Sequence, residues 1–139
     1  MKYLVFILLS TLLLSCDSSK LTPTSDAQFK GIWKFEGRGM LNNIEVEIKK
    51  DDKGNWVGLA KKLNDDKYVN MFMTVGDVVI PKIKRNSNFE FVVTEKKVAA
   101  ALFATYGQST SVDFTATFKD KNTILLGNNG TSGQYVRVK

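Results

Sequence analysis

The chain has 139 residues, with 20 Lys and Arg against 14 Asp and Glu, a formal net charge of +6, no histidine and one cysteine. Such a length holds one hydrophobic core rather than two. The absence of histidine removes the usual general base, the commonest metal ligand and every Ser/His/Asp or Cys/His arrangement, and a single cysteine leaves no intrachain disulfide to support the fold. The expectation is a non-enzymatic protein without metal or cofactor.

Lys2 precedes an apolar run from Leu4 to Leu14 that is interrupted only by Ser10 and Thr11, the plan of a secretory signal. As a helix this run reaches about 16 Å, short of the roughly 30 Å hydrocarbon core, so a permanent span is not expected. The run ends in Leu13-Leu14-Ser15-Cys16, which resembles a bacterial lipobox, in which the cysteine is acylated and becomes the new N-terminus. No Ala-x-Ala-like site competes between Ser15 and Ser25. The resemblance implies a signal peptide over residues 1–15, lipidation at Cys16 and a bacterial cell-envelope address, lipid-anchored in the outer or inner membrane and facing the periplasm or the surface. Asp17 after the cysteine resembles the inner-membrane retention signal of enteric-type bacteria. Several buried acyl chains, at about 0.8 kcal/mol per CH₂, would make the anchor effectively permanent.

Residues 16–28 then read as a lipidated tether: Asp17 to Gln28 is polar, contains Pro23 and has no apolar period. Fully extended it would stretch up to roughly 40 Å. From Phe29 the pattern changes to short alternating runs divided by turn residues, so residues 29–139 are expected to form one all-β domain. Phe29 to Glu36 sets Phe29, Trp33 and Phe35 on one face, and Met40 to Lys50 continues with Ile44, Val46 and Ile48 alternating against Glu45, Glu47 and Lys49. The two glutamates belong to a solvated face rather than to a catalytic pair. Asp51 to Asn55 has a lysine in a ligand place and reads as a hairpin rather than a calcium loop.

Trp56 to Leu63 is the next expected strand, Tyr68 to Val75 another, and Gly76-Asp77 has the composition of a hairpin turn into Val78 to Lys84. Pro81 has no N–H for a ladder, which places that strand at an edge, a bulge or a gap in the pairing. Phe89 to Thr94 alternates Phe89, Phe91 and Val93. Val98 to Tyr106 is alanine-rich, which favours helix, but its length and neighbours favour a strand. Val112 to Lys119, with Val112, Phe114, Ala116 and Phe118 on one side, precedes Thr123 to Leu126, the loop Gly127 to Gly133 and a closing strand Gln134 to Lys139. About ten short antiparallel strands without a crossover helix predict an up-and-down meander barrel of eight to ten strands, with a β-sandwich as the alternative.

Gly31-Ile32-Trp33 in the first strand and Arg137 in the last resemble the G-x-W signature of the lipocalin and wider calycin group and the arginine that packs across its tryptophan. Tyr135-Val136-Arg137 resembles the closing strand of small bacterial lipocalin-like lipoproteins. The chain is shorter than classical lipocalins and lacks their C-terminal helix and disulfide; it also lacks the two-helix insertion of fatty-acid-binding proteins. The resemblance implies a lipocalin-like barrel with Gly31, Trp33 and Arg137 as its closing signature.

If the registers hold, Phe35, Ile44, Val46, Ile48, Met71, Met73, Phe89, Phe91, Phe114 and Phe118 face the barrel interior, where they either fill it or line a cavity for one apolar molecule. The basic residues are scattered beside turns, as solvated strand edges are, and no nucleic-acid partner is expected. Two functions remain open. One is a membrane-anchored barrel that binds or carries a small apolar or amphipathic ligand. The other is a solid barrel whose loops, Gly107 to Ser111 or Gly127 to Gly133, grip a protein or glycan.

Overall fold

Short segments with one apolar face must bury that face against one another, and segments joined by turns or short connections pair largely in chain order. The computed structural model describes residues 22–139. The expected signal peptide over residues 1–15, the expected lipidation site Cys16 and the first part of the expected tether lie outside the described residues. Among the described residues nine strands form one antiparallel sheet: β1 (Gly31–Glu36), β2 (Glu45–Lys50), β3 (Trp56–Lys62), β4 (Val78–Ile80), β5 (Lys82–Arg85), β6 (Glu90–Lys96), β7 (Ser111–Asp120), β8 (Thr123–Leu126) and β9 (Gln134–Arg137). Their order is β4-β3-β2-β1-β9-β8-β7-β6-β5.

This is an up-and-down, lipocalin-like barrel that is nearly closed. The first and last strands pair directly, with Trp33 opposite Arg137 and Phe35 opposite Tyr135. The two ends of the sheet order are the two halves of one stretch of chain. Pro81 interrupts that stretch, so Val78–Ile80 pairs with β3 while Lys82–Arg85 pairs with β6. A residue unable to donate thus sits where the strand passes from one neighbour to the other. The approach there is close: a Cβ on Gly58 of β3 would lie 2.9 Å from Ile80 Cβ and 2.8 Å from a Val46 methyl.

Two predicted strands are helices. Tyr68 to Val75 overlaps α1 (Lys67–Phe72), started by Asp66, whose carboxylate accepts from the N–H groups of Tyr68 (2.8 Å) and Val69 (3.1 Å). This is N-cap chemistry in what the sequence presents as a turn. Gly76-Asp77 still turns the chain, but from this helix into β4 rather than between two strands. Val98 to Tyr106 contains α2 (Ala100–Thr105), so the alanines prevail. Met40 to Lys50 is not continuous either: a 3₁₀ turn over Gly39–Leu41 precedes β2. Another 3₁₀ turn, Asp26–Phe29, leads into β1. Among the described residues no helix is long and apolar enough to cross a membrane.

The interior is filled. Phe29 meets Phe91 and Phe118 with ring centroids 4.8 Å apart in each pair, and Trp33 lies beside Phe118 at 6.3 Å. Edge-to-face pairs of this kind contribute about 0.5–1.5 kcal/mol each beyond their buried area. Ile44, Val46, Ile48, Ile124 and Leu126 complete the packing without solvent exposure.

The end at which the chain enters is sealed. Trp33 Nε1 donates to the Phe29 carbonyl at 2.7 Å, and the Arg137 guanidinium lies 4.2 Å over the indole. Arg137 also donates to the carbonyls of Gln28 (2.6 Å), Lys30 (2.7 Å) and Lys121 (2.9 Å). Partial burial lowers its pKa from the ordinary arginine value. Gly31 makes room for this group: its φ is +142°, and a Cβ there would lie 2.5 Å from Arg137 Nη1 and 2.6 Å from the Lys139 carbonyl.

Candidate functional site

The opposite end of the barrel carries the chemistry. Strand β6 alternates so that Phe91, Val93 and Glu95 face inward, and Glu95 is only 4 % exposed. A carboxylate so placed requires a partner. The chain leaving β1 supplies one: Gly37, at φ +65° and with its N–H held by Asn42 Oδ1 at 2.8 Å, turns Arg38 back across the barrel mouth. Arg38 donates from Nε to Glu95 Oε1 at 3.2 Å, from Nη2 to Oε2, and from Nη1 to the Ser132 carbonyl at 2.5 Å. Its guanidinium lies 4.2 Å over the Phe114 ring. Tyr135 of β9, stacked on Phe35 at 4.1 Å, donates its hydroxyl to Glu95 Oε1. Burial, and then the neighbouring Glu95 charge, push the Tyr135 pKa well above its ordinary value, so the phenol stays protonated.

Above this ion pair lies an open cleft of about 230 Å³, lined by Arg38, Met40, Leu41, Glu95, Lys96, Lys97, Val98, Phe103, Val112 and Phe114, with the Lys97 ammonium 4.6 Å over the Phe103 ring. Its walls are mainly apolar and its floor is polar. The volume is below the roughly 300–1,000 Å³ of pockets that enclose drug-sized molecules, so it suits a short chain or one part of a larger molecule. Around the mouth, the short helices expose Tyr68, Met71 and Phe72 from α1 and Leu102 from α2, with Tyr106 just after it.

The residues expected to line a cavity divide into three groups. Phe35, Ile44, Val46, Ile48 and Phe91 are buried, with Phe114 and Phe118 packed against them, so most of the set forms the core instead of a hollow. Of these only Phe114 also borders the cleft. Met73 packs against the core from the end of α1. Met71 and Phe89 do not face the interior at all: Met71 is 67 % exposed because its segment is helical, and Phe89 is 47 % exposed because it precedes β6 and lies outside its ladder. Gly31, Trp33 and Arg137 do meet at the sealed end. Cys16 lies outside the described residues.

Sequence reasoning missed Arg38, Glu95, Met40, Leu41, Val98 and Phe103. For Glu95 a signal was present: it continues the parity of Phe91 and Val93, an acid on the apolar face of an alternating strand. Among the described residues no three His, Cys, Asp or Glu side chains gather as metal ligands do. No protein-family model, curated protein or solved structure matches this chain.

Proposed function

We propose that the protein is a bacterial envelope lipoprotein, anchored through Cys16, whose barrel takes up a small apolar or amphipathic molecule at its open end and holds or passes it on without covalent chemistry. The supporting observation is the cleft itself, apolar in its walls and polar at its floor, within an otherwise solid barrel. Polarity confined to one side gives an amphipathic guest a defined orientation. The tether enters beside the sealed end, where Thr24 bonds to Asn88 and Arg85. An anchor at Cys16 therefore leaves the open end free to point away from the bilayer.

Among the described residues, 22–139, nine strands pair into one sheet around the buried core, so this stretch holds the elements of the barrel. Native mass spectrometry of residues 22–139 purified from the host is expected to retain a small adduct, and a clean apo mass at high sensitivity contradicts the reading. For the anchor, Cys16→Ala in the full chain is expected to move the protein out of the membrane fraction.

The exposed Tyr68, Met71, Phe72, Leu102 and Tyr106 favour a second reading, in which the same end grips a protein or glycan. Met71→Ser together with Tyr106→Ser would then abolish partner capture while leaving uptake of a small molecule unchanged.

A further inference from the structure

We infer that the sealed end of the barrel is a docking face for an anionic lipid bilayer, so that the base lies on phosphate-bearing headgroups and the open end stands away from them. The nearness of a membrane rests on the proposed lipidation of Cys16; the charge and the apolar groups of this face do not.

Basic residues that are dispersed in the sequence are gathered by the fold. In an up-and-down barrel every second connection falls at the same end, here the end where the chain enters and β9 closes on β1. The β2–β3 hairpin brings Lys49, Lys50 and Lys53 there, the β5–β6 connection Lys84 and Arg85, and the β7–β8 hairpin Lys119 and Lys121. Lys30 precedes β1, and Arg137 and Lys139 lie at and beyond the end of β9. Over the connections and the last two residues of each strand, this end carries ten cationic side chains against five acidic ones, Asp26, Asp51, Asp52, Glu90 and Asp120. The open end, taken the same way, carries six of each, and the wall between them two of each. The excess positive charge of the described residues therefore lies at the sealed end.

These cations are available to a partner. All but Arg137 are exposed, and among the described residues only Lys49 of this set forms an ion pair, with Glu47 at 3.9 Å. The acids mostly hold local structure: Asp51 accepts from the N–H groups of Lys53 and Asn55, Asp120 from that of Asn122, Asp26 from the Trp56 indole and Glu90 from the Asn86 amide. Two apolar side chains stand among the lysines, Phe89 before β6 and Val138 after β9, each 47 % exposed. An acidic polysaccharide has no use for them, whereas a bilayer buries such groups at the boundary of headgroups and acyl chains while Lys and Arg stay among the phosphates. The open end exposes apolar groups too, but it has no net charge to draw it to an anionic surface.

The tether joins the barrel at this same face. The Thr24 N–H donates to the Asn88 carbonyl at 2.9 Å, and Arg85 donates to the Thr24 carbonyl at 2.5 Å. Only five residues separate Cys16 from Thr22, so an anchor at Cys16 holds the face within about 20 Å of the bilayer. Charges in water are felt over about 8 Å at physiological ionic strength. The tether therefore brings the lysines near the headgroups, and their attraction closes the remaining gap and sets the barrel upright.

The test uses the isotopically labelled protein in the form purified from its host, in nanodiscs of phosphatidylglycerol with phosphatidylcholine or of phosphatidylcholine alone, each containing a lipid with a nitroxide on its headgroup. In the anionic discs the amides of Lys53, Phe89, Lys121 and Val138 are expected to be broadened at least about fivefold more than those of Met71 and Tyr106. This contrast is expected to fall by about threefold or more in phosphatidylcholine alone, and likewise in the anionic discs at about 1 M salt. The combined variant K49Q, K50Q, K53Q, K119Q and K121Q is expected to lose it in the anionic discs. The variant K61Q, K62Q, K67Q, K96Q and K97Q, equal in net charge, is expected to keep it. Equal contrast with and without anionic lipid, equal losses in the two variants, or stronger broadening at the open end overturns the inference. Mass spectrometry of the same preparation reports on Cys16 separately. If that residue is unmodified the anchor reading fails, and the inference stands if the unanchored protein binds the anionic discs with this pattern and falls if it does not. Should either variant not fold, the dependence on lipid and salt in the native protein decides alone.

Discussion

Gly31 and Glu95 each show how one atom more or less changes the barrel. At Gly31 a methyl group meets Arg137 Nη1 and the Lys139 carbonyl, on a backbone at φ +142°. Gly31→Ala is expected to destabilise the protein by on the order of 1–3 kcal/mol, with collision adding to strain. Gly54→Ala, also at positive φ but with nothing near its Cβ, isolates the strain, at about 1 kcal/mol; urea midpoints of the two variants measure the difference. Tyr135→Phe removes a hydroxyl bonded to a buried carboxylate and is expected to cost about 1.5–3 kcal/mol near neutral pH. The Tyr135 pKa is raised in the fold above its ordinary 10.0. The unfolded chain therefore loses this proton first, and the stability linked to it is full below pH 10 and declines as pH rises beyond. Urea unfolding from pH 8 upward should show the native chain and Tyr135→Phe converging above about pH 10.

At the scale of elements, strands and helices were unequally legible. The period of two in Val46-Ile48 and Phe91-Val93 survives in the structure because a half-buried antiparallel strand cannot hide both faces. Each α-helix is a six-residue segment, too short to establish a helical period. Their signals were local chemistry instead: the Asp66 cap, and alanines that start from Ala99 at φ +59°. Held by a cap and little burial beyond Val69, α1 is expected to open by itself. Asp66→Ala should cost it about 1 kcal/mol and raise hydrogen exchange at the α1 amides about fivefold, while the β1–β9 ladder keeps its protection. Equal loss in both regions would show that helix and barrel open together.

For the molecule as a whole, closure was legible and hollowness was not. Gly31, Trp33 and Arg137 in the first and last strands pointed to a sheet meeting its own beginning, and Pro81 pointed to the place where the pairing changes partner. Which apolar residues fill the space and which line a gap depends on summed volumes and on lengths of loop, neither of which has a period. Arg38 and Met40 come from a turn with no repeat to mark them, although they bring charge and an apolar wall to the mouth. The result is a barrel solid for most of its height, with a small two-faced cleft at the end opposite Trp33 and Arg137.

That cleft is tested most directly by titrating 1-octanol into isotopically labelled residues 22–139 and following every backbone amide by NMR. The account predicts saturable shifts that share one dissociation constant and concentrate at Arg38, Leu41, Glu95, Val98, Phe103 and Phe114, with the residues around Trp33 and Arg137 unmoved. No saturable shift up to the solubility limit, or shifts confined to the outer faces of the helices around Met71 and Tyr106, would contradict it.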